Sequence, residues 1–341
     1  MADITIKDIA KMAGVSYATV SRAISGSPEV SEATRERILT LCKHVGYTPN
    51  VIARSMIKKS TMSIGMILPD ISDPFFSELA LHVENCSSAH GYNLFICNSR
   101  RDSEKEQSYF QLLASRRVDG IIFHPSSASY AQREYIRRVP TVILGDNLGA
   151  IAQNVVRVDN RLGTYLGTKY LMDLGHRDIA LLAIKPNSIS HQLRLEGFMD
   201  AVREGEVRYQ VIDNPYPVSS IENGYRIAKK FFQETKRLPT AIAAITDTLA
   251  LGIMQAADEA GIRIPEDLSL IGSNNILYAA LPKIMLTTVE MPKQEMGESA
   301  VKLLLEVIHQ KEPLTETKQI VLQPSVVERK TCRRIDGEIT R

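Results

Sequence analysis

The chain has 341 residues, is 44% apolar, and carries 41 Lys and Arg against 39 Asp and Glu, a formal net charge of +2. That length holds a small head and a body of two subdomains. No run of about 18 uncharged apolar residues and no export signal is present, which excludes a membrane span and makes the cytoplasm the expected compartment. Cys42, Cys86, Cys97 and Cys332 show neither metal nor redox spacing, so reduced, incidental thiols are expected.

In chain order, Ile6, Ile9, Ala10 and Ala13 repeat at helical spacing, with Thr5 as a cap and Asp8 three residues into a capping-box pattern. Gly14 ends this helix, and Ser16 offers the N-cap of a second. In the second helix Ala18, Val20, Ala23 and Ile24 can face the first helix or the core. Tyr17, Ser21 and Arg22 are free to point outward, where an Arg near a helix start reaches guanine edges in a major groove. The plainer alternative is a helical hairpin with a solvated basic face. A third helix runs from Glu32 to Val45, capped by Ser31, striped with Ile38, Leu41, Cys42 and Val45, and stopped by Gly46.

Charge is asymmetric. Residues 1–60 hold nine Lys and Arg against five Asp and Glu, which leaves the remainder slightly acidic. A basic head on such a body is expected where only the head meets phosphate. Tyr47-Thr-Pro-Asn50 then forms a turn, Val51 to Ile57 is too short for a helix stable alone, and Lys58 to Thr61 reads as a linker.

These residues resemble the lactose-repressor (LacI/GalR) family of bacterial transcription regulators through the helix-turn-helix, the Tyr-x-Pro-Asn turn and the short hinge. The resemblance implies a hinge that orders on operator DNA, with an apolar wedge entering the minor groove at its centre. Met56 occupies the wedge position, where the family usually has leucine; the alternative is that Met56 packs on the body. The DNA-contacting set is then Thr5, Ser16, Tyr17, Ala18, Ser21, Arg22, Asn50, Ala53 and Met56.

The body alternates strands and helices. Expected strands are Ser63–Pro69, Tyr92–Asn98, Asp119–His124, Thr141–Gly145, Ile179–Ala183, Tyr209–Ile212, Ala241–Thr246, Leu268–Gly272 and Leu286–Met291. Helices are expected at Phe76–His90, Ser103–Arg116, Leu162–Leu174, Ser190–Glu204, Ser220–Thr235, Thr248–Ala260 and Gln294–Gln310. Buried strands joined by helices mean parallel sheets with crossovers, and two such sets mean two Rossmann-like lobes whose ligands sit beyond the strand C-termini. The expected class is therefore α/β, an all-α helix-turn-helix head on a core that, by the resemblance, is periplasmic-binding-protein-like. Expected boundaries are a head at 1–60 with its hinge at about 50–58, a core at 61–330 and a short tail at 331–341. The resemblance also implies three chain crossings between lobes, placed near Asn147–Asn154, near Met291–Pro292 and shortly after Val321.

Effector-site candidates follow the strands. Asp73 caps a helix, while Phe75 and Phe76 either stack on a ring face or plug the core. Arg194 and Ser190 open a later helix, and the resemblance assigns both, with Thr246, to effector contact. Asp247 either caps its helix or accepts from a sugar hydroxyl. Asn274-Asn275 stands where the family usually has an acidic residue, and an amide donates as well as accepts. Asp146 and Asn147, and Tyr216 in the Asn-Pro-Tyr-Pro loop, are further cleft candidates. A phosphorylated sugar or sugar acid would draw on Arg100, Arg101 and Arg157.

No nucleophile elbow, phosphate loop, dinucleotide fingerprint or His-Glu-x-x-His pattern is present, so no catalytic residue, cofactor or metal is assigned. His82, Cys86 and His90 are spaced by four but read as an ordinary helix face. The expected function is a DNA-binding repressor, controlled by a sugar, sugar phosphate or sugar acid and acting as a homodimer on a palindromic operator. The tail lacks leucine heptads for a tetramer. The competing readings are a solute-binding receptor and a Rossmann-type sugar-processing enzyme.

Overall fold

The computed structural model describes residues 4–47, 60–126, 139–146, 154–184, 188–212, 214–310 and 317–335. The chain divides into two compact units, Met1–Thr61 and Met62–Arg341.

The first unit has three helices, α1 (Ile6–Ala13), α2 (Tyr17–Ile24) and α3 (Glu32–His44). Thr5 and Asp8 close the capping box, with Thr5 N donating to Asp8 Oδ2 at 2.9 Å. Gly14 ends α1 at φ 63, a left-handed conformation that a side chain would strain. Ser16 then accepts from Thr19 N to start α2. Ile9, Ala10, Val20, Ala23, Val30, Ile38 and Cys42 form the core of this unit. Ala18 is exposed and does not face the first helix or the core, because the stripe of α2 that packs inward runs through Val20 and Ala23.

The second unit holds two six-stranded sheets. The first has the order β11-β5-β4-β3-β1-β2 and the second the order β12-β10-β9-β8-β6-β7. The strands are β1 (Ser63–Leu68), β2 (Asn93–Asn98), β3 (Gly120–Phe123), β4 (Thr141–Leu144), β5 (Asn154–Val158), β6 (Asp178–Leu182), β7 (Arg208–Ile212), β8 (Ala241–Ala244), β9 (Ser269–Asn274), β10 (Thr287–Glu290), β11 (Gln319–Leu322) and β12 (Ser325–Val327). Between them lie α4 (Pro74–Ala89), α5 (Ser103–Ser115), α6 (Asn160–Asp173), α7 (Ile189–Glu204), α8 (Ile221–Glu234), α9 (Asp247–Glu259), a 3-10 turn at Leu277–Ala280, and α10 (Lys293–His309). All neighbouring strands are parallel except the pair β10–β12. Central strands such as β3, β4, β6 and β8 are buried throughout, which is why they read as apolar runs, broken only by Thr141 and Asp178 at the starts of β4 and β6.

Three strands were not expected. β5 is five residues long, opens on Asn154 and carries Arg157 next to its end, and β11 and β12 are three or four residues long with polar members, too short for periodicity to register. The first crossing is corrected with them. The chain returns from β4 to β5 in the same sheet, so it leaves the first lobe after Val158 and not at Asn147–Asn154. The second crossing lies at Met291–Pro292 and the third between β11 and β12. Residues 331–335, assigned to a tail, are bonded into the second lobe. Thr331 Oγ1 donates to Leu270 O at 2.6 Å, and Ile335 N donates to Leu174 O at 2.8 Å.

Candidate functional site

In the first unit, the residues assigned to DNA contact gather at the start of α2. Ser16, Tyr17, Ala18 and Arg22 are exposed, Ser21 is half-buried, and Thr5 lies at the start of α1. Tyr17 is 47% exposed, a large ring left in water. Arg22 Nε meets Glu29 Oε2 at 3.0 Å with both side chains more than half exposed. Such a pair contributes at most about 1 kcal/mol and yields readily to a better partner. Asn50, Ala53 and Met56 lie outside the described residues.

In the second unit, the C-terminal ends of both sheets open on one cleft of about 930 Å³, mouth included. Asp73, Phe75, Phe76, Asp146, Ser190, Arg194, Thr246 and Asn274 all line it. Two assigned residues do not. Arg100 is exposed at φ 54, and its neighbour Arg101 takes the cleft position; Tyr216 is half-buried away from the cleft, its N–H donating to Asn214 Oδ1. Asn147 lies outside the described residues.

Arg194 organises the floor. It projects from the second turn of α7, capped by Ser188, and is 7% exposed. Its Nε donates to Asn160 Oδ1 at 2.7 Å, its Nη1 to Ile245 O, and its Nη2 to Asn274 Oδ1 at 2.9 Å. Burial lowers its pKa to about 10. Asn160 in turn donates to Asp146 Oδ2 at 2.6 Å, which also receives Ser190 Oγ at 3.0 Å, while Arg157 stands 3.4 Å from Asp146 Oδ1. Asn160 links lobe to lobe, and the sequence reading passed over it because β5, whose end positions it, was missed.

The opposite wall is aromatic. Phe76 packs edge-on against Phe75 and against His124, with centroids at 5.2 Å and 4.8 Å. Arg101 lies 6.0 Å from the Phe76 centroid and 3.9 Å from Asp73. Asp73 caps α4 through Phe75 N, and burial raises its pKa. Burial lowers His124 to about 4, and burial followed by the charges of Arg194 and Arg101 lowers His191 to about 3, so both imidazoles are neutral at pH 7. Neither histidine was assigned beforehand, although His191 sits in the same His-Gln-Leu-Arg run as Arg194.

Asp247 does neither job expected of it. Thr246 is the N-cap of α9, whereas the buried Asp247 carboxylate accepts Thr288 Oγ1 at 2.5 Å and Ile276 N at 2.8 Å. Burial raises its pKa to about 6. Asn275 turns from the cleft, its Oδ1 receiving Arg329 Nη2 at 2.6 Å. Asn274 and Asn275 have φ 109 and φ 48, conformations that asparagine tolerates better than most residues, so backbone shape is a second reason for the pair. Among the described residues, no three His, Cys, Asp or Glu side chains are grouped to hold a metal; His90 Nδ1 lies 2.8 Å from Cys86 O.

Residues 5–50 match the family of bacterial regulatory proteins, lacI family, and residues 168–332 match the periplasmic binding protein-like domain. The HTH-type transcriptional repressor PurR of Vibrio parahaemolyticus is 34% identical over 338 residues, covering 97% of this chain and 99% of its own. The chain belongs to the lacI family. A second relative of this lacI-family protein, the HTH-type transcriptional regulator DegA of Bacillus subtilis, is 35% identical over 301 residues, 86% of this chain and 88% of its own. Among solved structures, a lac repressor dimer bound to operator and the anti-inducer ONPF superposes with TM-score 0.84 at 26% identity, covering 97% of this chain and 100% of that one. A LacI family regulator of Enterococcus faecium with bound ribose gives TM-score 0.72 at 29% identity, covering 80% and 100%. This lacI-family chain is a DNA-binding regulator of transcription and not an enzyme.

Proposed function

We propose that the protein represses transcription in the cytoplasm as a homodimer on a palindromic operator, and that a small effector, a sugar or sugar derivative, sets its operator affinity from the cleft. The cleft carries this reading: polar groups of both lobes line it, Asn160 joins Arg194 of the second lobe to Asp146 of the first, and a ligand bridging the lobes favours one opening angle. A change in that angle alters the spacing of the two tethered heads. Coupling of about 1–3 kcal/mol between the sites changes operator occupancy by roughly 5–150-fold. The operator-bound lac repressor dimer and the ribose-bound Enterococcus faecium regulator support the two halves of the proposal.

On DNA, Arg22 leaves Glu29 for a guanine edge and Tyr17, Ala18 and Ser21 line the same groove, while Thr5 and Ser16, at helix N-termini, take phosphates. Asn50, Ala53 and Met56 serve the minor groove. Selection of bound duplexes from a random pool tests this. The expected consensus is a two-fold palindrome, and Arg22→Ala loses about 1–3 kcal/mol, roughly 5–150-fold, at one base pair in each half-site. A consensus without symmetry, or a loss spread evenly over all sequences, refutes the assignment.

A further inference from the structure

We infer that Glu78 and Lys293 form a clamp outside the cleft that fixes the angle between the two lobes and so sets operator affinity before any effector binds. This rests on the reading of the protein as a repressor controlled through that angle.

Both clamp residues stand on the first lobe. Lys293 is the first residue of α10, directly after the Met291–Pro292 crossing, and α10 packs on β3, β4, β5 and α4. Glu78 projects from the second turn of α4. The two helices approach closely at Gly297, where an added Cβ would lie 3.0 Å from His82 Cβ and 3.1 Å from Val83 N. So tight a contact leaves no room for one helix to slide on the other, and Glu78 and Lys293 move together.

What they grip belongs to the second lobe. Lys293 Nζ donates to Asn274 O at 2.6 Å and to Asn275 O at 2.8 Å, and Leu277 N donates to Glu78 Oε1 at 2.8 Å. Asn274 and Asn275, at φ 109 and φ 48, turn successive carbonyls toward the one ammonium. The turn 274–277 is itself anchored in its lobe. Ile276 N donates to the buried Asp247 carboxylate at 2.8 Å, and Asn275 Oδ1 receives Arg329 Nη2 at 2.6 Å. Each side of the clamp is therefore rigid within its own lobe, and the hydrogen bonds between the two sides record the relation of lobe to lobe.

Charge makes the clamp costly to open. Lys293 is 6% exposed, and its ammonium stands 3.6 Å from Glu78 Oε2 on the first lobe and 3.8 Å from Glu290 Oε1 on the second. Rotation of the lobes pulls the ammonium from both carbonyls and from Glu290, and a buried charge that loses its partners is strongly disfavoured. Hydrogen bonds with one ionised member are also roughly twice as strong as neutral ones.

The clamp reaches the cleft from behind. Asn274, whose carbonyl Lys293 holds, accepts from Arg194 Nη2 through its Oδ1 at 2.9 Å, and Asp73, Phe75 and Phe76, at the start of the helix that carries Glu78, line the cleft. A change of opening angle stretches or relaxes the clamp, so cleft and clamp act on the same equilibrium.

The test uses the full-length protein without ligand, as parent, Glu78→Ala and Glu78→Gln. Hydrogen exchange is read by mass spectrometry at the peptide around Leu277, with peptides of α7 and β8 as references, and affinity by gel shift on a palindromic duplex selected with the parent. In Glu78→Ala, exchange around Leu277 is expected to rise at least tenfold with the reference peptides unchanged, and operator affinity to change at least fivefold; the sign of that change tells which lobe angle the operator selects. Glu78→Gln keeps an oxygen for Leu277 N and drops the charge beside Lys293, and is expected to change affinity at least twofold in the same sense. Unchanged exchange around Leu277 in Glu78→Ala overturns the clamp. Exchange that rises with a smaller change in affinity shows a contact that only steadies the turn, and overturns the inference as well. Where Glu78→Ala loosens the reference peptides too, Glu78→Gln decides, and a change under twofold in that variant overturns the inference. If the parent itself binds no duplex, the repressor reading fails and takes the inference with it.

Discussion

Replacing Arg194 by alanine removes three hydrogen bonds and strands three buried acceptors, one of them on Asn160 between the lobes. Bonds from a charged donor contribute about 1.5–3 kcal/mol each, so the gross loss is roughly 6 kcal/mol. Against this stands the cost of keeping the cation buried. A pKa lowered from 12.5 to about 10 corresponds to about 3 kcal/mol that the variant recovers. The net is a loss of roughly 3 kcal/mol, and at about 2–4 °C per kcal/mol for a unit of this size the melting temperature falls by about 6–12 °C. A loss of that size leaves the folded state dominant at 25 °C, since total stability is typically about 5–15 kcal/mol. The variant therefore binds operator at low temperature, with no response to effector. Scanning calorimetry with and without ligand, beside a gel shift at 20 °C, checks both parts. A melting temperature within 2 °C of the parent, or an effector response retained, would refute the bridging role.

Gly197 on α7 faces α6, where an added Cβ would lie 2.0 Å from Arg161 O and 3.1 Å from Tyr165 N. Backbone cannot yield as a side chain does, so Gly197→Ala should cost about 2–3 kcal/mol, read as a lower urea midpoint at unchanged slope; an unmoved midpoint contradicts the close approach. Stability should fall on acidification from pH 6.5 to 5. His176, buried between Thr240 Oγ1 and Arg333 O, is lowered by burial to about 4 like His124; these two and His191 at about 3 stay neutral in the fold while the unfolded chain takes up protons at 6.5, so each contributes stability above that pH which is lost as pH drops. Over that range each loses up to roughly 2 kcal/mol. Asp247, raised from 3.8 to about 6, works in the opposite sense and returns up to about 1.4 kcal/mol between pH 6 and 5. The histidines prevail, and urea midpoints that hold level or rise toward pH 5 would count against their burial as neutral rings.

The elements most legible in sequence were those whose signal is local. The capping box at Thr5 and Asp8, Gly14 at φ 63 and the Ser16 cap are written in a few adjacent residues and recur in the structure as expected. Long amphipathic helices and wholly buried strands were found within a few residues of their observed ends. Short or polar strands were not, because β5, β11 and β12 exist through their neighbours in the sheet and not through their own pattern.

The cleft divides in the same way. Position after a strand pointed to Asp73, Asp146, Arg194, Thr246 and Asn274, all of which line it. Adjacency in sequence could not tell Arg100 from Arg101, since a left-handed turn at the pair decides which side chain enters. It also could not show that Thr246 caps α9 while Asp247 holds Thr288 across the sheet.

What the sequence alone determined, then, is the family, the two-sheet architecture and the capped helices of the head, because composition and short-range periodicity encode burial and local hydrogen bonding. Only the tertiary structure decided that Asn160, Ile245 and Asn274 converge on the Arg194 guanidinium. Those partners come from residues 34 to 80 positions away, and convergence in a buried cleft depends on distances in space that no local pattern records.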